Sequence, residues 1–420
     1  MPEVLVVGGG IAGLTTALSL HAAGLGCRVV DKARELTTVG VGINLQPHAV
    51  RELTELGLES ELAGLGVPIA EVVLCDRFGT RIWDEPRGVA AGYRWPQYAI
   101  HRGALQMLLL RAVRERLGPD AVRTGLAFDG CTESPRGVSV RLRTRDGATV
   151  TTDADVLVGA DGLYSAVRAH LHPNEGPPVG SGIRMWRGTA EGVPFFGGHT
   201  QALAGSIATA RIVVYPITPT RDGRTTINWV AEARLPAAAP VRNWTTQGRL
   251  EDVLPHYEDM RLAWLDVPEL IRRSEPILEY PMVDRDPLPQ WGTDRITLVG
   301  DAAHPMYPVA SNGGSLAVVD ARVLAYHLAT KPDVATALLD YENDRREPTT
   351  AILLASRGLG PDRIVHTVTE RAPNGFTHIE DVLSAAELAE IGESFRTTTN
   401  ADMTTLNERP TWQPTSITTR

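Results

Sequence analysis

Val4-Leu5-Val6-Val7-Gly8-Gly9-Gly10-Ile11-Ala12-Gly13 decides how the rest of the chain is read. Four consecutive apolar residues, three of them β-branched, predict a strand buried on both faces, as in a parallel sheet. The glycines at Gly8, Gly10 and Gly13 have GxGxxG spacing. Gly8 permits a tight turn, Gly10 lets backbone approach a pyrophosphate, and Gly13 lets the next helix pack close to the strand. Leu14–Ala23 carries helical spacing. The start of that helix offers free N–H groups and a positive dipole end to an anion. Arg28-Val29-Val30 predicts the second strand of a right-handed βαβ unit. Asp31 ends it eighteen residues beyond Gly13, near the separation of about 20 expected for a carboxylate on a nucleotide ribose. The spacing fits a dinucleotide site better than a chance glycine turn, but GxGxxG does not choose between dinucleotides.

Working outward, residues 48–64 and 103–117 read as helices, with Leu105, Leu108, Leu109, Val113 and Leu117 at helical spacing. Between them Val72–Leu74 and Arg81–Trp83 read as short strands of a satellite region. Thr151–Ala160 reads as one strand ending at Gly159-Ala160-Asp161-Gly162. From 181 to 283 the texture changes to alternating or β-branched runs, such as Arg211–Tyr215 and Thr225–Val230, divided by Pro and Gly turns. Arg295–Val299 then reads as a strand, and Gly313–Leu328 and 334–356 as helices. The fold expected is α/β (α+β): a Rossmann-like dinucleotide domain from 1–180 and 284–345, an inserted antiparallel-sheet substrate domain at 181–283, and a C-terminal helical segment at 346–420.

Bulk properties narrow the function. The 420 residues are 43% hydrophobic and 22% charged, ordinary for a globular protein of this length. The net charge of −9 comes from mixed acids and bases with no basic stripe, which argues against a nucleic-acid partner. Cys27, Cys75 and Cys131 form neither a disulfide framework nor a metal knot. A reducing, cytoplasmic location is expected, with no signal peptide, membrane span or bound metal. Oligomeric state is not legible.

Two further segments separate FAD from NAD. They are Gly159-Ala160-Asp161-Gly162 followed by Ser165 and Arg168, and Gly300-Asp301-Ala302-Ala303-His304-Pro305. With GxGxxG ahead of them, in this order and spacing, the chain resembles the group A flavoprotein monooxygenases, relatives of p-hydroxybenzoate hydroxylase. The resemblance implies FAD as cofactor, NADH or NADPH as reductant and O2 as oxidant. It implies a flavin C4a-hydroperoxide that places one oxygen on a small planar aromatic ring.

The same resemblance assigns residues. Gly8, Gly10, Ile11, Ala12 and Gly13 would cradle the pyrophosphate, with Asp31 and Lys32 beside the ribose. Arg102, in Ile100-His101-Arg102, would reach ribose or phosphate oxygens, helped by Gln106 one turn later, and Leu126 joins the FAD set. Asp301 would accept a hydrogen bond from the ribityl chain, and Asp161 would lie near FAD and NAD(P)H. Pro308, Ser311, Gly313 and Gly314 would lie along the pyrimidine edge of the isoalloxazine, where N–H groups and the helix dipole favour negative charge. Val41, Gly42, Ile43 and Pro308 are the flavin-facing candidates, with Gly40 and Gly42 expected to let their loop move. No general base is assigned. His304 reads as a packing or turn residue.

Val39–Pro47, Trp95–Met107, Arg184–Gly188, Glu279–Leu288 and Ala302–Asn312 are similar to the phenazine-hydroxylating branch of the family, whose reaction includes loss of a carboxylate. Substrate candidates are Met185, Trp186, Arg187, Tyr215 and Trp229, with Arg184 or Arg187 available to a carboxylate. The plainer reading makes the aromatics core and the arginines solvated. Rival functions are an FAD oxidase, dehydrogenase or halogenase, and a non-catalytic flavoprotein that sequesters an aromatic. A halogenase is disfavoured because Lys32 and Lys331 are the chain's only lysines and no Trp-x-Trp-x-Ile occurs.

Overall fold

The computed structural model describes residues 2–235, 246–358, 360–390, 393 and 402–414. The opening stretch forms the strand Glu3–Val7 and the helix Ile11–Ala22. Val4, Leu5, Val6 and Val7 are all buried, so the strand lies inside the sheet. It is the centre of a five-stranded sheet in the order Ile296–Leu298, Val156–Gly159, Glu3–Val7, Gly26–Asp31, Val122–Thr124. All four pairings are parallel. The carboxyl ends of the first three strands carry the three Gly/Asp segments, and in open parallel sheets that end is where ligands bind.

A seven-stranded sheet stands apart from it. Its order is Leu278–Asp284, Val179–Gly192, Thr225–Arg234, Ala210–Pro216, Thr200–Ser206, Glu71–Cys75, Arg81–Pro86. Two of these strands come from outside the expected insert. Glu71–Cys75 pairs in parallel with Thr200–Ser206, so the supposed satellite region is the far edge of this sheet. The link is made in space between segments distant in sequence, which no local pattern announces.

Pleating gives the sheet two faces. Trp186, Trp229, Ala231 and Tyr257 fill one core. Ile183, Met185, Val230 and Tyr280 face the other way and pack on Val41, Tyr307 and Val309 of the loops beyond the parallel strands. Farther along that second face, Ile364, Val365 and Val368 of the helix Gly360–Arg371 cover Val72, Leu74 and Leu203.

Other boundaries differ from expectation. Residues 48–64 form two helices, Pro47–Glu55 and Glu59–Leu65, divided where Gly57 adopts φ +74°. Thr151–Ala160 divides into Thr149–Ala154, the edge of a three-stranded antiparallel sheet, and Val156–Gly159 of the parallel sheet. The boundary placed at 345/346 falls inside one helix, Val334–Arg357. The C-terminal stretch returns to the first domain: Arg51 donates to the carbonyls of Leu406 and Arg409 at 2.8 Å, and Arg409 pairs with buried Glu52.

Candidate active site

The three Gly/Asp segments meet in space. A Cβ on Gly8, where φ is +116°, would stand 2.3 Å from the Ala160 carbonyl oxygen. A Cβ on Gly300 would meet the Ala12 side chain at 3.0 Å, and one on Gly13 would meet the Gly8 oxygen at 1.9 Å. Glycine is therefore demanded by close backbone approach at Gly8 and Gly13, and at Gly300 by a φ of +59° with the Ala12 and Ala317 side chains close by. Gly10 is different: a Cβ there would meet nothing within 4 Å. It borders open space at the start of the helix Ile11–Ala22, which has no side-chain cap. The helix Gly313–Thr330 also begins without a side-chain cap, at Asn312. By contrast, Ser165, Asp266, Asp333 and Asp402 each cap their own helices. Two uncapped helix starts beside a glycine cradle leave donors and positive dipole ends for an anionic, hydrogen-bond-accepting ligand.

Side chains hold the cradle's shape. Asp31 accepts Gly9 N–H at 2.6 Å and Ala33 N–H at 2.7 Å, so its carboxylate stiffens the loop it was expected to face across a ribose. Gln106 Nε2 donates to the Gly9 carbonyl at 2.8 Å. Leu126 is buried next to this corner, where Gly125 N–H donates to the Ala33 carbonyl at 2.7 Å. Lys32 and Arg102 are exposed. Asp161 accepts from Ser165 Oγ at 2.5 Å and from Ala166 N–H at 2.7 Å, which makes it a local helix-start cap. Burial pushes its carboxyl up against those hydrogen bonds. Arg168 donates to the carbonyls of Ala302 and Ala303 at 3.0 and 2.8 Å, tying the second segment to the third.

Asp301 is exposed, with its Oδ1 3.7 Å from where a Cβ on Gly313 would stand. Desolvation there pushes its carboxyl above the ordinary value, with His304 and Arg102 opposing. Behind it, His304 Nε2 and Arg345 Nε contact Asp320 at 2.5 and 2.8 Å, and Gly300 N–H donates to Asp320 at 3.0 Å. Burial alone would raise the Asp320 carboxyl, but His304 and Arg345 override it and hold it down at about 2. The group fixes the Gly300-Asp301 turn, so His304 serves structure.

The loop at Val41–Ile43 is pinned. Gly42 N–H donates to Asn228 Oδ1 at 2.7 Å, the Tyr215 hydroxyl donates to the Gly42 carbonyl at 2.9 Å, and Arg102 N–H donates to the Val41 carbonyl at 2.9 Å. A Cβ on Gly42 would stand 2.7 Å from Asn228 Cγ and Ile217 Cγ2. Gly42 is thus required by space in this conformation. Tyr215 spends its hydroxyl on that loop, and burial pushes its phenol up to about 12. Asn228, fully buried, was not singled out in the sequence, because a strand asparagine carries no local signal.

Of the substrate candidates, Met185 and Arg187 lie on the loop-facing side of the sheet. Trp186 and Trp229 do not. They alternate to the opposite face, where Trp229 Nε1 donates to Ser274 Oγ at 2.6 Å, and both are core. Arg184 pairs with Glu279 at 3.2 Å and stacks over Trp186, on that same far side. Tyr280 and Val230, missed in the sequence, share the near face with Met185.

A family model described as FAD binding domain matches residues 1–356. The chain is 47% identical over 401 residues to a phenazine 1,6-dicarboxylic acid hydroxylase, PhzS, of Lysobacter antibioticus, covering 94% of this chain and 96% of that protein. The chain belongs to the FAD-dependent aromatic monooxygenases. FAD is its cofactor, and NAD(P)H and O2 are its co-substrates. A second relative, the aurachin C monooxygenase/isomerase of Stigmatella aurantiaca, is 34% identical over 363 residues, covering 85% of this chain and 88% of that one. In fold, this monooxygenase superimposes on Klebsiella pneumoniae HpxO complexed with FAD and uric acid with a TM-score of 0.71, at 23% identity over 94% and 93% of the two chains. The glycine cradle and the two uncapped helix starts suit the FAD of this monooxygenase. Among the described residues no group of His, Cys, Asp and Glu is arranged to hold a metal, and no helix is long and apolar enough to cross a membrane.

Proposed function

We propose that the enzyme hydroxylates a planar, phenazine-like heteroaromatic ring held between the Val41–Ile43 loop and the near face of the seven-stranded sheet. The observation that carries this reading is that near face: Met185, Val230 and Tyr280 cluster with Val41, Tyr307 and Val309 of the facing loops. Apolar and aromatic walls favour a flat, weakly polar ligand and keep water from the reacting atoms. The strong identity with a phenazine hydroxylase along nearly the whole chain supports the same substrate class.

In this reading Gly8–Gly13 and Arg102 hold the pyrophosphate, Asp301 the ribityl chain, and Pro308–Gly314 the pyrimidine edge. Bound FAD supplies hydride acceptance from NAD(P)H and activation of O2. The protein's part is positional. Asn228 and Tyr215 fix the Gly42 peptide that faces the ring system, and the uncapped start of Gly313–Thr330 favours negative charge beside it. A cytoplasmic site of action belongs to the same proposal, in keeping with three free cysteines.

The test is aerobic NAD(P)H consumption by the yellow protein, with and without phenazine-1-carboxylate. The expected result is stimulated consumption and a product heavier by one oxygen, or by one oxygen with loss of CO2. Unstimulated consumption across a panel of planar arenes contradicts the reading.

A further inference from the structure

We propose that Arg187 is the receptor for a carboxylate on the aromatic substrate, so that the preferred substrate is an arene acid. This rests on the reading that a planar ring occupies the near face of the sheet. Strand register places Arg187 between Leu278 on one side and Val230 on the other. The same row continues through Val213 and Leu203. Arg187 is the one charged side chain in that row.

Among the described residues no acid pairs with it. Its Nε is buried and has no hydrogen-bond partner, and its guanidinium lies over the Tyr280 ring, 5.2 Å from the centroid. The nearby acids are committed elsewhere. Glu232, on the strand beside it, holds Arg211 at 2.5 Å, and Glu279 holds Arg184 at 3.2 Å. The well-buried arginines Arg51, Arg168 and Arg322 each have an acid partner.

Arg187 is half-buried, and the buried Nε side of its guanidinium, set among apolar side chains without a counter-charge, is costly to desolvate. The cost is recovered when a ligand brings the missing anion. A guanidinium fork matches a carboxylate through two parallel hydrogen bonds, and the Tyr280 ring beneath it fixes the plane of that fork. A carboxylate engaged there orients the attached ring in the plane of the wall formed by Met185 and Val230. Arg187 therefore selects which ring edge meets the Val41–Ile43 loop.

The experiment titrates FAD-loaded protein with phenazine-1-carboxylate and with unsubstituted phenazine, anaerobically and without NAD(P)H. Binding is read from the flavin absorbance, so it is separated from turnover. R187M should weaken the carboxylate roughly 10- to 200-fold, the range for loss of a charged hydrogen bond, and leave phenazine within about twofold. R187K, which keeps the charge and loses the fork, should fall between. FAD content and circular dichroism establish that both variants are folded. Equal weakening of both ligands, or no change for the carboxylate, overturns the proposal. If wild-type protein binds and hydroxylates both rings equally well, Arg187 loses its role and the hydroxylase reading stands. If no planar arene binds or stimulates NAD(P)H oxidation, the functional reading itself fails.

Discussion

The cofactor end and the seven-stranded sheet make their sites by opposite means. At Gly8–Gly13 the backbone is the site, and side chains such as Asp31 and Gln106 only hold it in shape. On the sheet the backbone is a hydrogen-bonded ladder with register shifts at Gly180/Arg184 and Leu74/Cys75, and the proposed site depends on which side chains the pleat turns toward the loop. The first kind of site tolerates almost no added atoms. The second tolerates substitution on one face far better than on the other, and the two faces answer to different measurements.

The largest effect should come from adding bulk to the cradle. A Cβ on Gly13 would already collide with the Gly8 carbonyl oxygen at 1.9 Å. Gly13→Val should therefore yield protein that is isolated colourless and takes up no FAD at concentrations that saturate wild type. A yellow, stoichiometrically loaded Gly13→Val protein would break the distinction. On the sheet, Trp229→Ala empties the far-face core and should lower stability by about 3–5 kcal/mol. Denaturant unfolding reads that loss, while substrate affinity measured on the folded fraction should stay near wild type. Met185→Ala should show the reverse emphasis, with substrate affinity changed more than for Trp229→Ala. If Trp229→Ala abolishes substrate binding in folded, FAD-loaded protein, the assignment of faces is wrong.

Acid sharpens the comparison at the cofactor end. Asp320 is held at about 2, below its ordinary 3.8. A carboxyl depressed on folding contributes stability above its unfolded value and loses it as pH falls toward the folded one. That contribution, about 2 kcal/mol, should be intact above about pH 4 and drain away between about pH 4 and 2. Asp320→Asn should flatten that part of the stability–pH curve, and an unchanged slope would contradict the assignment. The smallest effect expected is Tyr215→Phe, which removes one hydrogen bond from the Gly42 carbonyl. It should cost about 1 kcal/mol and raise the share of NAD(P)H electrons released as H2O2, measured with a peroxide assay.

These contrasts also explain what was legible in the sequence. The parallel-sheet domain and its three Gly/Asp turns were readable because steep steric demands at Gly8, Gly13 and Gly300 leave glycine as the residue that fits. The faces of the large sheet were not. Thr225–Arg234 alternates Ile227, Trp229, Ala231 and Ala233 with Asn228, Val230 and Glu232, but both rows are buried, so the alternation separates two faces without marking which one meets the loop. Trp186 and Trp229 looked like substrate walls for that reason. The space that Gly42 needs was not legible either, since the Asn228 and Ile217 side chains it meets are distant in sequence. The strands at Leu126–Ser134 and Gly137–Thr144 were missed although Val138, Val140 and Leu142 alternate with Ser139, Arg141 and Arg143, a period-2 signal that the sequence does carry. Asp31, Gln106 and Asp161 were expected as site residues, and the partners they have in the protein depend on contacts that no local pattern contains.

The most direct test is a crystal structure of the FAD-loaded enzyme with phenazine-1-carboxylate bound. The account predicts the tricyclic substrate between the Val41–Ile43 loop and the Met185–Val230 face, with its carboxylate on Arg187. A substrate bound against Trp186 and Trp229, or on the near face with its carboxylate turned away from Arg187, would contradict it.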